Sequence, residues 1–191
     1  MNLEGQLRRQ ARAIFKAALR AGNPAEAVTR RLEREDFTRY RNIYVVGAGK
    51  AGAAMARAAE RVLGRRIARG LLNVKYGHTA PLRRIELNEC GHPIPDRRGV
   101  DGARRIAAIA AGAAAGDLVL CLVSGGASAL MPLPADPITL DEKQEATKLL
   151  LASGASIHEI NTVRKHISRI KGDNSRAWPI PRTCARCSSP M

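Results

Sequence analysis

The chain has 191 residues, enough for about one domain with a short extension, and 45% of them are hydrophobic, so it can bury a core. Plentiful leucine, isoleucine and valine exclude a disordered chain. No apolar run approaches the roughly 18 residues of a membrane helix, and no signal-like segment opens the sequence, so a cytoplasmic protein is expected. The formal net charge of +15 is large. Arginine outnumbers lysine, as a GC-rich genome imposes on exposed positions, so the charge by itself does not establish a nucleic-acid partner.

In chain order, Leu7, Ala11, Ile14, Phe15 and Ala18 recur at helical spacing and predict a first helix, stopped near Gly22. Asn23-Pro24 reads as an N-cap with proline at the first helical position. Residues 42–46 form an apolar strand, and a helix over 51–63 ends at Gly64. Further strands fall over 70–74 and 84–89. Residues 91–96, Gly-His-Pro-Ile-Pro-Asp, form a loop stiffened by two prolines. An alanine-rich helix covers 99–115. Residues 117–123 are apolar on both faces, the pattern of a central parallel strand. Capping boxes at Thr139–Glu142 and Ser156–Glu159 open helices to Leu151 and to about Ile170. Alternating strands and helices predict an α/β fold with a doubly wound, mainly parallel sheet and helices on both faces.

The segment Ile43-Tyr44-Val45-Val46-Gly47-Ala48-Gly49-Lys50-Ala51-Gly52 carries the literal G-x-G-x-x-G pattern. Its glycines allow a turn that leaves backbone N–H groups facing outward, and Lys50 adds a cation. This predicts a phosphate or carboxylate site at Gly47 and Gly49 with Lys50 as the working charge. An ordinary strand-to-helix turn fits the same pattern. A nicotinamide cofactor fits poorly, because Leu72-Asn73-Val74-Lys75 offers no acid for a ribose. The second loop, Ser124-Gly125-Gly126-Ala127-Ser128, also follows a strand. Ligands of such sheets sit beyond the carboxyl ends of strands, where both loops fall.

Elsewhere the chemistry is sparse. One tryptophan, three tyrosines and two phenylalanines give little to stack nucleotides on, and no zinc-finger spacing appears. Cys121 reads as a small core hydrophobe, Cys90 lies at a strand end, and Cys184-x-x-Cys187 lacks a second pair. His158 and His166 are eight residues apart on one helix, which does not suit a metal pair. No metal ligands are assigned.

Four motifs occur together: Val46-Gly47-Ala48-Gly49-Lys50-Ala51, Gly91-His92-Pro93-Ile94-Pro95-Asp96, Ser124-Gly125-Gly126-Ala127-Ser128-Ala129-Leu130, and Glu159-Ile160-Asn161-Thr162-Val163-Arg164-Lys165-His166. In this order they resemble the glycerate 2-kinase family of MOFRL type, whose members are often labelled hydroxypyruvate reductase. The resemblance runs from residue 5 to about Gly172. It implies a Rossmann-like N-terminal domain, a smaller second domain, and phosphorylation of D-glycerate to 2-phosphoglycerate by ATP with Mg2+. Lys50 matches the family lysine thought to act on the transferring phosphoryl group. The resemblance assigns Ser124, Gly125, Gly126, Ala127 and Ser128 to anion binding, Arg164 to clamping a carboxylate or phosphate, and Asn161 to a substrate hydroxyl. His92 and Lys165 are further candidates. His92 as a brace for the proline loop, and Arg164 and Lys165 as a solvated helix face, are the plain alternatives.

Family members are about twice this length, and the family pattern stops at Gly172. The expected organisation is a domain over 1–172, an aberrant and disordered tail over 173–191, and no second domain. A single lost base in a stretch coding Gly-Gly-Gln-Leu-Ala-Arg would read Gly-Asp-Asn-Ser-Arg-Ala, as found at 172–177, so a frameshift is expected. The expected function is an ATP-dependent glycerate 2-kinase, inactive in this truncated form. An NAD(P)-dependent hydroxypyruvate reductase and a basic nucleic-acid-binding domain are the alternatives.

Overall fold

The computed structural model describes residues 3–171 and the backbone of 184–188. Five strands form one sheet: β1 (Ile43–Ala48), β2 (Ile67–Lys75), β3 (Ile85–Cys90), β4 (Leu118–Val123) and β5 (Cys184–Ser188). Their order is β3-β2-β1-β4-β5 and every neighbouring pair is parallel. The helices are α1 (Leu3–Ala21), α2 (Pro24–Leu32), α3 (Gly52–Leu63), α4 (Arg97–Ala111), α5 (Ala127–Leu130), α6 (Leu140–Ala152) and α7 (Ile157–His166). The expected α/β sheet is therefore found, with four of its strands where the apolar runs placed them.

Successive strand residues face opposite sides, which explains why the central strands are apolar throughout. Val45 packs with Met55, Ala56 and Ala59 of α3 and with Val28 and Leu32 of α2. Its neighbour Val46 packs on the other face with Ile106, Ile109 and Ala110 of α4. Both valines are buried, so β1 is covered on both faces.

The helix ends follow local chemistry. Asn23 Oδ1 accepts from Ala25 N and Glu26 N, with Pro24 at the first helical position. Both predicted capping boxes are formed, by Thr139 with Glu142 and by Ser156 with Glu159. Helix α4 begins two residues earlier than expected because Asp96 caps it through Gly99 N at 2.8 Å. It also stops earlier, at Gly112, because Asp117 draws the amide of Ala114 into the turn that leads to β4. Helix α7 ends four residues early. Residues 167–170 turn back along 133–135, with Arg169 N donating to Leu133 O at 3.0 Å and Pro134 bridged to Ser168. That return brings Lys171 beneath α5.

Two expectations change. The apolar stripe of α1 reaches no core: the helix has no buried residue, and Leu7, Ile14 and Phe15 are each more than half exposed. A helical period sets which face is apolar, not what covers it. Secondly, the stretch expected to be disordered carries strand β5, parallel to β4. An edge strand pairs through its backbone groups and needs no hydrophobic period in its partner. The remainder of 173–191, and the frameshift expected there, lie outside the described residues. Among the described residues no helix is long and apolar enough to cross a membrane.

Candidate functional site

Strand β1 has β2 on one side and β4 on the other. The chain leaves β1 towards β2 through α3, and returns from β3 to β4 through α4. The strand order thus reverses between β1 and β4, and a crevice opens at their carboxyl ends. Both glycine loops emerge there.

The loops are tied to each other. Lys50 N donates to Gly125 O at 3.0 Å, Ala51 N to Ser124 Oγ at 3.1 Å, and Ser124 N to Ala48 O at 3.2 Å. Gly49 N donates to Asn73 O at 3.1 Å, and Gly52 N to Gly49 O at 3.0 Å. The amides of Gly49, Lys50, Ala51 and Gly52 are therefore spent inside the protein. This corrects the expectation of an outward-facing amide cradle at Gly47 and Gly49. Those glycines are needed for close approach instead. A Cβ on Gly47 would lie 1.9 Å from Leu122 O, and one on Gly49 would lie 2.1 Å from Ser124 Oγ.

The second loop has the free amides. Gly125 N and Gly126 N have no partner among the described residues, and Gly126 sits at φ +87°, where only glycine is unstrained. The space over Gly126 is shared by Lys50 and His92. A Cβ there would meet His92 Nε2 at 2.9 Å and Lys50 Cε at 3.2 Å. Lys50 is exposed at the crevice mouth. Burial, and then Lys50 and Lys75, push the His92 pKa below its ordinary value, so the imidazole is neutral at pH 7. His92 is thus a neighbour of the lysine and not only a brace for the proline loop.

Ser128, one helical step further along α5, meets two cations. Arg164 Nη2 donates to its Oγ at 2.5 Å, and Lys171 Nζ donates to both its Oγ and its carbonyl at 2.7 Å. A cavity of about 300 Å³ opens beside them, lined in part by Met131, Asn161 and Lys165. Of the candidates taken from the sequence, Lys50, His92, Gly125 and Gly126 meet at one place. Ser128, Asn161, Arg164 and Lys165 meet at a second. Ser124 and Ala127 connect the two through the loop. His158 and His166 are exposed on α7, as expected.

Three contributors were not read from the sequence. Asn73 is fully buried and donates to Gly99 O at 3.0 Å and to Leu130 O at 2.7 Å, while Asn88 Nδ2 donates to its Oδ1 at 2.9 Å. The signal was a polar residue inside Leu71-Leu72-Asn73-Val74. Its place at the end of β2 is structural, so nothing there receives a ribose. Lys143 and Lys171 gave no sequence signal, because a lysine pattern does not reveal burial. Cys90 is buried and its thiol is pushed up to about 12, by burial first and then by Asp96, so it is unreactive.

The residues present do not fit a magnesium ion. Such an ion takes one or two carboxylates together with water and substrate phosphates, and among the described residues no group of three or more His, Cys, Asp or Glu side chains could hold one. The acids beside the proline loop are committed elsewhere. Glu89 accepts from Gly77 N at 2.6 Å, and Asp96 from Gly99 N and from Tyr76 Oη at 2.7 Å. Burial raises the Asp96 pKa, but the bonds from Tyr76, Gly99 and Gly91 outweigh it and hold the carboxylate ionised.

A parallel sheet with two interlocked glycine loops and a lysine at its switch point defines an α/β domain of the doubly wound class. The chain belongs to the DUF4147 family, a domain of unknown function, which residues 10–174 match, and corresponds to the N-terminal part of the glycerate 2-kinase family. It is 42% identical over 167 residues to a D-glycerate 2-kinase of Thermotoga maritima, covering 87% of this chain and 39% of that protein. It is 42% identical over 170 residues to an Agrobacterium vitis protein provisionally named a hydroxypyruvate reductase, covering 89% of this chain and 38% of that one. The crystal structure of a Thermotoga maritima glycerate kinase superposes with a TM-score of 0.85 at 38% identity, over 96% of this chain and 44% of the other. The chain spans about two-fifths of the length of the curated relatives it matches.

Proposed function

We propose that this chain forms one wall of the active site of an ATP-dependent D-glycerate 2-kinase. The observation that carries the reading is the meeting of Lys50 and His92 over the unpartnered amides of Gly125 and Gly126. Phosphoryl transfer asks the protein mainly for positioning and for charge stabilisation. In this reading the glycine-loop amides hold phosphate oxygens, and Lys50 stabilises charge on the group in transfer. The 2-hydroxyl oxygen of glycerate bonds to the γ-phosphorus as the bond to the β-phosphate bridging oxygen breaks. Neutral His92 takes the hydroxyl proton or orients the hydroxyl. Arg164 and Asn161 face the acceptor acid. No step is routed through magnesium, because the residues here do not hold it. With no metal donor set among the described residues, the 191-residue chain by itself is expected to bind nucleotide weakly and not to turn over.

A nicotinamide reductase is disfavoured by the spent amides of Gly49–Gly52 and by Asn73 at the end of β2. Calorimetric titration with ADP and with NADH tests the proposal. ADP should bind, and Lys50→Ala should weaken that binding only modestly. Binding of NADH without binding of ADP would overturn the kinase reading.

A further inference from the structure

The backbone of Lys50 is gripped from two directions. Its amide donates to Gly125 O at 3.0 Å. Its carbonyl lies just ahead of α3, whose entering bonds run from Gly52 N to Gly49 O and from Met55 N to Ala51 O, and among the described residues no backbone N–H donates to Lys50 O. A side chain reaches it instead: His78 Nδ1 lies 3.2 Å from Lys50 O. A carbonyl only accepts, so the ring nitrogen facing it carries the proton, and in the neutral ring Nε2 is left with the lone pair.

The turn that carries His78 is fixed without help from Lys50. It leaves β2 at Lys75 and closes with His78 N donating to Lys75 O at 2.9 Å. Gly77 takes φ +75°, and a Cβ there would meet nothing within 4 Å, so this glycine serves the shape of the turn and not a close approach. Glu89 of β3 accepts from Gly77 N at 2.6 Å, and Asp96 accepts from Tyr76 Oη at 2.7 Å. The Arg98 guanidinium lies over the Tyr76 ring, 5.6 Å from its centre. Tyr76 and Gly77 are thus pinned by β3 and the proline loop, and the next residue delivers its ring to Lys50. His78 is exposed, so burial does not account for its place.

We propose that His78 is a positioning residue for Lys50. Its Nδ1–H bond fixes the Lys50–Ala51 peptide, and with it the direction in which the lysine side chain leaves for the space over Gly126 beside His92. An ammonium on a flexible four-carbon stem samples many positions. Anchoring the root of the stem from both sides narrows them, and placement is what a transferring group asks of such a charge. The proposal rests on the kinase reading only for its consequence in phosphoryl transfer. The grip on Lys50 is a property of this chain whatever the ligand.

The test is NMR of the 191-residue chain at about pH 8.5, where imidazoles are neutral. Correlations between the ring protons and ring nitrogens of His78 should show the proton on Nδ1, the tautomer that a free ring in water does not favour. This measurement needs no variant. In His78→Ala the Lys50 carbonyl carbon should shift upfield, and the nuclear Overhauser contacts between the Lys50 ε-protons and the His92 ring should be lost. In His78→Asn, whose side-chain amide can donate the same bond, both should return. A proton on Nε2 of His78 would overturn the proposal, and so would an unchanged Lys50 carbonyl and unchanged contacts in His78→Ala. Failure of His78→Asn to restore the contacts would overturn it too, because the bond would then not be what holds Lys50. Titrating the wild-type chain with ADP separates this from the kinase reading. No ADP binding, with the Nδ1 proton and the contacts in place, would overturn the kinase reading and leave the role of His78 standing.

Discussion

Replacing Asn73 by alanine removes two donors from buried carbonyls, those of Gly99 and Leu130. Leu130 O keeps only the weak bond from Cys90 Sγ at 3.7 Å, and each buried carbonyl that loses its amide donor costs roughly 1–3 kcal/mol. Asn88 loses an acceptor too, but its amide still donates to Arg98 O at 3.0 Å, so that loss is small. The sum is about 2–6 kcal/mol, a large share of a domain's typical stability of roughly 5–15 kcal/mol. For a chain of this size the melting temperature should fall by about 10 °C. Urea unfolding followed by circular dichroism measures the change, with an unaltered slope showing that the denatured state is the same. Asn73→Asp should be at least as damaging at pH 7, since a carboxylate faces two carbonyls, and should recover in part at low pH, where the acid regains one donor. The loss should reach the site as well, because Asn73 joins the start of α4 to the end of α5 and its own carbonyl takes Gly49 N–H. A loss of less than about 1 kcal/mol for Asn73→Ala would refute this account and show that water replaces the side chain.

Other outcomes follow from the same geometry. Gly47→Ala should destabilise by about 3 kcal/mol or more, since its Cβ would strike Leu122 O; a normal unfolding midpoint would contradict the packing described. In a chain extended to the length of its relatives, Lys50→Ala should lower kcat by about 10²–10³ with a smaller change in KM, and unchanged turnover would remove the lysine from the mechanism. The 191-residue chain alone should give no signal in a coupled assay with ATP, Mg2+ and D-glycerate. Turnover at roughly 1–100 per second would mean that residues 40–171 hold a whole site. Because folding depresses Lys171 to about 7 and Lys143 to about 8, the folded state binds fewer protons than the unfolded chain above those values. Stability without ligand should therefore rise with pH from about 7 towards the ordinary lysine range near 10.4. Lys171→Met should flatten that rise in a series of thermal melts, and an unchanged slope would show that the lysine is not desolvated.

Local rules made much of the protein legible in its sequence. The doubly apolar runs at 43–46 and 118–123 could only be central strands, and Asn23-Pro24, Thr139–Glu142 and Ser156–Glu159 start helices through bonds to residues two or three positions away. The glycines of both loops marked the carboxyl edge of the sheet for the same reason, since the turn each needs is set by its own backbone. Tertiary structure alone decided which loop keeps free amides. The first loop spends its N–H groups on Asn73, Ser124 and Gly125, partners 24 to 75 residues away that no local pattern names. It also decided that the apolar stripe of α1 stays uncovered, and that Lys143 and Lys171 are desolvated beside Arg164. Burial and charge coupling depend on what the rest of the chain brings near a residue, and residue type and spacing do not carry that information.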